Sequence, residues 1–144
     1  MIHVVQNMLV ATCSEEDRLL IDRALGAGID VRVLTCFDDV HHKVRAWYPN
    51  RTIGVPAHKA TVKAAVQSAK LDIAIVREMH DVIRSALLIQ TLREAGVPQI
   101  IVMCKDESRA QMYRRCGANN VVVVDPHEEA WDRIMPYLHL HVSA

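Results

Sequence analysis

The sequence predicts an open, doubly wound α/β fold: a three-layer domain whose parallel sheet runs in the strand order 3-2-1-4-5-6. Three observations carry that prediction. Residues 71–124 alternate apolar runs (71–76, 99–104, 121–124) with helix-period segments (79–95, 106–116). The runs are short and almost wholly apolar, as strands buried on both faces of a helix-covered parallel sheet must be. Residues 8–70 repeat the alternation, so right-handed crossovers split the sheet into two halves that meet between strands 1 and 4.

Residues 8–13 form the first strand. Ser14-Glu-Glu-Asp17 follows as a capping-box-like start, in which the Ser14 hydroxyl accepts from the Asp17 amide and the acids complement the helix dipole. Leu19, Leu20, Ile21, Ala24 and Leu25 give the helix a buried stripe, which Gly26 and Gly28 end. Residues 31–36 are the second strand. Asp38 or Asp39 then caps a short helix carrying Val40, Val44 and Trp47, broken by Pro49. A brief third strand spans 52–55. Residues 59–70 place Val62, Ala65, Val66 and Ala69 at helical spacing. After the central stretch, a last helix at 128–137 turns Trp131, Ile134 and Met135 inward, with Pro136 weakening its end.

At 144 residues the chain makes one domain, 1–144, able to bury roughly 70% of its unfolded surface. Seventeen basic residues balance seventeen acidic ones without a Lys/Arg run, and aromatics are few. Both features argue against a nucleic-acid partner. No apolar run reaches the ~18 residues of a membrane span, so direct membrane insertion is not expected. The first residues lack the basic and apolar regions of a signal peptide. Four cysteines without a Cys-x-x-Cys pair suit a reducing cytoplasm.

The phrases Leu92-Arg-Glu-Ala-Gly-Val-Pro98, Ile101-Val-Met-Cys-Lys-Asp106 and Arg114-Arg-Cys-Gly-Ala118 resemble the fifth strand and fifth helix of RCK domains. These regulators of potassium conductance are also called TrkA-N domains. Residues 52–76 are similar to that family's third strand, helix and fourth strand, and Ala27-Gly-Ile-Asp-Val-Arg-Val-Leu34 to its turn into strand 2. The resemblance covers nearly the whole chain. It implies a Rossmann-like, cytoplasmic, non-enzymatic regulatory module, peripheral to the inner membrane through its partner. The implied partners are a membrane potassium channel or transporter and other copies of itself, as a dimer or ring.

The sequence departs from the family's pattern where a nucleotide would sit. Ala11-Thr-Cys-Ser-Glu-Glu16 replaces the glycine-rich turn, and the acid expected at the end of strand 2 falls near Thr35 or Cys36. Val55-Pro56 replaces a Gly-Asp pair, Ser85 an Asn, and Met103 an Arg. A pyrophosphate is held by backbone N–H groups at a helix start, where glycine permits close approach. Glu15, Glu16 and Asp17 occupy that turn. A carboxylate about 5 Å from a phosphate charge costs about 3 kcal/mol at an effective dielectric near 20. The dipole returns roughly 0.3–2 kcal/mol, so repulsion wins unless the acids turn outward. Tight binding of NAD or ATP is therefore not expected, and no cofactor is implied beyond a metal ion.

The ligand-binding crevice is expected at Ala11, Thr12, Cys13, Ser14, Glu15, Glu16, Cys36, Val76, Arg77, His80 and Cys104. Cysteine or histidine recurs at the strand ends: Cys13, Cys36, His58, His80, Cys104 and His127. Of these, Cys13, Cys36 and His80 are candidates to converge on zinc or another soft metal, against the plainer reading of buried thiols and solvated imidazoles. Glu15 and Glu16 facing Asp38 and Asp39 are candidates for calcium, magnesium or potassium, against dipole-complementing acids at two helix starts. No Gly-x-Ser-x-Gly or Gly-x-x-x-x-Gly-Lys motif is present. A Cys13–His80–Asp81 trio would need a thiolate beside acids that oppose it, so no catalytic residue is assigned.

Leu87, Leu88 and Leu92, with Ala86 and Ile89, make the fourth helix apolar over a wide arc, and Met112 and Tyr113 add bulk to the fifth. The resemblance implies an oligomer interface at Leu87, Leu88, Leu92, Met112 and Tyr113, against simple burial of a central helix. Two other readings stay open: a small nucleotide-binding oxidoreductase-like protein, and a non-catalytic partner-binding Rossmann domain.

Overall fold

Period-two alternation along the central strands feeds two separate cores, one on each side of the sheet. The computed structural model describes residues 5–11, 14–36, 41–125 and 129–138. In chain order the elements are β1 (Asn7–Ala11), α1 (Arg18–Gly26), β2 (Asp30–Thr35), α2 (His41–Trp47), β3 (Thr52–Gly54) and α3 (Lys59–Ala69). Then follow β4 (Ile73–Arg77), α4 (Val82–Glu94), β5 (Gln99–Cys104), α5 (Ala110–Cys116), β6 (Asn120–Val123) and α6 (Ala130–Ile134). All strand pairs are parallel, in the order β3-β2-β1-β4-β5-β6.

Met8, Val10, Ile73, Ile75, Ile101 and Met103 face one way and pack against Ile21 of α1, Val44 of α2 and Trp131 and Ile134 of α6. Leu9, Ala11, Ala74, Val76, Ile100 and Val102 face the other way, against Val62 of α3, Ile89 and Leu92 of α4 and Tyr113 of α5. Neither layer could fold alone, since each strand needs both cores to cover it. Among the described residues no helix is long and apolar enough to cross a membrane.

Local chemistry sets the boundaries. α4 begins at Val82, not at residue 79, because the Asp81 carboxylate accepts from the Arg84 N–H at 3.1 Å and caps it. α5 is entered through a 3-10 turn, Glu107–Arg109, capped by Asp106. It ends at Gly117, whose φ of +127° disfavours a side chain. The helix expected at 128–137 becomes a 3-10 turn at Met135–Tyr137, with Pro136 inside it. That tighter winding corrects one inward residue: Met135 is exposed, and Leu138 fills the core instead.

Two expected interface residues are also corrected. Leu92 and Tyr113 are fully buried against their own sheet, so neither presents surface to a second copy. The apolar side chains left outside on this face are Ile83 (73% exposed), Leu87 (56%) and Met112 (37%), with Leu88 half-buried.

Candidate functional site

The sheet's order reverses between β1 and β4, and the helices leaving these two strands depart to opposite faces. A crevice must open there, at the carboxyl ends of the strands. An open cleft of about 520 Å³ lies at this point and extends between α3 and α4. Ser14, Thr35, Cys36, Arg77, Glu78 and His80 line its strand-end part. Lys59, Val62, Arg84, Leu87, Leu88 and Thr91 line the part between the helices.

Asp17 is the most consequential residue beside it. It is fully buried, although it stands in the first turn of the helical segment after β1. Its carboxylate accepts from the Ser14 N–H at 2.9 Å and from the Ser14 hydroxyl at 3.2 Å. The Arg77 Nε donates to the same carboxylate at 2.7 Å, from the last residue of β4. Arg77 is itself only 15% exposed and lies 3.7 Å from Glu16. The pair thus ties the start of α1 to the end of β4. The backbone N–H of Ser14 and a guanidinium, both groups an incoming phosphate would seek, already hold an anion that belongs to the protein.

A second buried carboxylate, Glu78, follows directly. Arg109 donates to both of its oxygens, at 2.5 and 2.8 Å, and the Tyr113 hydroxyl donates to Oε2. Burial pushes the Glu78 carboxyl up, but the hydrogen bonds from Arg109 and Tyr113 and the guanidinium charge together hold it below the ordinary glutamate range. Burial and the bond to Glu78 push the Tyr113 phenol up. Ser85 completes the support: fully buried, its Oγ accepts from the Met79 N–H at 2.8 Å and donates to the Asp81 carbonyl at 3.1 Å. The loop between β4 and α4 is therefore held from three sides.

Of the expected crevice residues, Ser14, Cys36, Arg77 and His80 line the cleft. Ala11, Val76 and Cys104 do not; they are buried in the core beneath it, because their side chains follow the strand alternation into the α3–α4–α5 layer. Burial raises the Cys104 thiol, whose Sγ donates to the Asp106 carbonyl at 3.4 Å. Glu15 and Glu16 point outward and are exposed. Only Asp17 turned inward, where it pairs with Arg77, so with Glu15 and Glu16 turned outward the repulsion expected from three acids is not what these side chains supply. Thr12, Cys13, Asp38, Asp39 and His127 lie outside the described residues, as do parts of both proposed metal sets. Among the described residues no three His, Cys, Asp or Glu side chains cluster as metal ligands.

The sequence reading missed Glu78, Lys59 and Arg84. A signal for Glu78 was present: Arg77 and Glu78 are adjacent charges closing an apolar strand, and each required a partner.

No family model and no curated protein matches the sequence. Solved structures do match. The GsuK channel bound to NAD aligns at TM-score 0.64 and 19% identity, over 82% of this chain and 21% of that one. The TrkA-N domain of the inner membrane protein YbaL from Escherichia coli aligns at TM-score 0.63 and 17% identity, over 95% and 98%. The NAD(P)-binding domain of an exopolyphosphatase-related protein from Archaeoglobus fulgidus aligns at TM-score 0.63 and 16% identity, over 92% and 98%. The chain spans about a fifth of the GsuK channel chain it matches. At these identities the likeness is one of fold: the chain has the Rossmann-like fold of RCK and TrkA-N domains.

Proposed function

We propose that this chain is a regulatory module of the RCK/TrkA-N kind, controlling a potassium channel or transporter. It would act through ligand sensing at the cleft and self-association, without catalysis and with impaired binding of NAD and ATP. One observation carries the reading: on an RCK-like fold, the Ser14–Asp17–Arg77 cluster occupies the start of α1 with an internal carboxylate. The fold neighbours described as bound to NAD and ADP make nucleotide binding the alternative to be tested. Isothermal calorimetry with NAD, NADH, ADP and ATP should give no isotherm at micromolar affinity. A micromolar or tighter isotherm for any of them overturns the impaired-binding part of the reading.

Self-association is supported by the apolar side chains left outside on α4 and α5, namely Ile83, Leu87 and Met112. Light scattering across a dilution series should show a dimer or larger, which Ile83→Glu with Met112→Glu dissociates. A strict monomer at high micromolar concentration would remove this part of the proposal. Regulation requires that a cleft ligand bind one subunit arrangement more tightly than another.

A further inference from the structure

The cleft is cationic, but most of that charge is already committed. Arg77 is paired with Asp17, and Lys59 Nζ lies 2.7 Å from Glu94 across the α3–α4 groove. The one carboxylate in the lining, Glu78, is held by Arg109 and Tyr113. Arg84 is different. Its backbone N–H is used by Asp81, but its guanidinium has no hydrogen bond or ion pair among the described residues. Around it the walls are apolar: Leu34, Ala57, Val62, Met79, Leu87 and Leu88. One uncommitted cation at the edge of a mostly apolar cleft of about 520 Å³ suits a particular ligand class. A dinucleotide brings two phosphate charges and needs the helix start that Asp17 fills.

We propose that the cleft binds a singly charged amphipathic organic anion, its apolar body lying between α3 and α4 and its charged group on the guanidinium of Arg84. This rests on the reading of the cleft as a ligand-sensing site and names the class of ligand. The apolar body removes Leu87 and Leu88 from water, while the guanidinium supplies a charge-assisted hydrogen bond that a neutral or cationic analogue cannot accept. Lys59 and Glu94 would bound the groove at its far end without contributing net charge.

The test uses decanoate, decanol and decylamine, below their aggregation limits, against the whole chain. Each is measured by displacement of anilinonaphthalene sulfonate and by amide chemical-shift mapping. Decanoate should bind, shifting Lys59, Val62, Leu88 and Thr91, and should bind at least about tenfold more tightly than decanol or decylamine. Arg84→Gln should weaken decanoate about tenfold and leave decanol unchanged. Arg84→Glu should reverse the order so that decylamine wins. Because Arg84 is exposed and its guanidinium makes no hydrogen bond or ion pair among the described residues, both variants should melt close to the parent. Equal binding of the three probes, unchanged decanoate affinity in Arg84→Gln, or shifts away from α3 and α4 each overturn the proposal. If no probe binds and NAD and ADP also fail, the ligand class is wrong while the regulatory reading stands. If NAD or ADP binds instead, it is the impaired-nucleotide reading that fails.

Discussion

Removing Arg77 should destabilise this domain more than removing its partner. Arg77→Gln leaves Asp17 charged, fully buried and without a counter-ion. Stranding one member of a buried pair costs about 3–5 kcal/mol. Asp17 keeps both bonds from Ser14, which places the cost at the low end, about 3 kcal/mol. Asp17→Asn strands much less: Arg77 retains some solvent and has Glu16 at 3.7 Å, and an asparagine oxygen can still accept from the Ser14 N–H. That substitution should cost about 1–2 kcal/mol. For a domain of this size 3 kcal/mol lowers Tm by about 6–12 °C. Urea unfolding of the two single variants and the double variant gives the cycle, and the double should fall short of the sum by more than about 1 kcal/mol. Equal, additive losses below about 1 kcal/mol each would show that the pair is a solvated surface contact, and with it would go the argument that Asp17 fills the helix start.

Three further outcomes follow from single positions. Because the Glu78 carboxyl is held below its ordinary value, its stabilisation is complete above the unfolded pKa and drains as pH falls through the folded one. Stability measured by urea melts below about pH 4.3 should therefore decline more steeply in the parent than in Glu78→Gln. At Gly117, φ is +127° and an added Cβ would lie 2.8 Å from the Arg93 Cβ, whose guanidinium also bonds the Gly117 carbonyl. Gly117→Ala should lose about 1–3 kcal/mol in the same assay. Lys70 closes α3 in the left-handed region at φ 51° and ψ 61°, so Lys70→Gly should gain roughly 0.5–1 kcal/mol; a loss there would mean that the lysine stem contributes packing.

The elements that were legible are those in which one physical signal has no competitor. β5 falls at 99–104 as expected, because the apolar run 100–104, closely bounded by Pro98 and Asp106, has the length of a buried strand and is too short for a helix. The strand order followed from crossover handedness. Where two signals compete, the reading slipped. Residues 79–81 fit the helical period, yet Asp81 caps the helix after them and Ser85 holds them as a loop. The excess apolarity of α4 was visible, but a wide arc does not say which part faces the sheet; Leu92 does, and Ile83 and Leu87 do not. In the site, Arg77 was legible as a charge ending an apolar strand. Its partner was not, because Asp17 is 60 residues away and meets it only through the pairing of β1 with β4. Glu78, Arg109 and Tyr113 were hidden for the same reason, joined only by the adjacency of β4 and β5.

Topology guarantees a crevice between β1 and β4, but it does not decide what enters. That depends on which group satisfies the donors facing the opening. When glycines leave the N–H groups at the helix start bare, an external phosphate can bind them. Here Asp17 takes one of them, the Ser14 N–H, from within, and Arg77 is spent on the same carboxylate. The open volume is left beside the helix start, between α3 and α4, under a different balance of charge. The loop that walls it, from Glu78 to His80, is also the one that Arg109 and Tyr113 fasten to the α5 side of the domain. A ligand pressing on that wall therefore works against a buried, fully paired carboxylate and not against a mobile loop. Any signal it sends toward α5 is limited to the difference in its affinity between two arrangements of that contact.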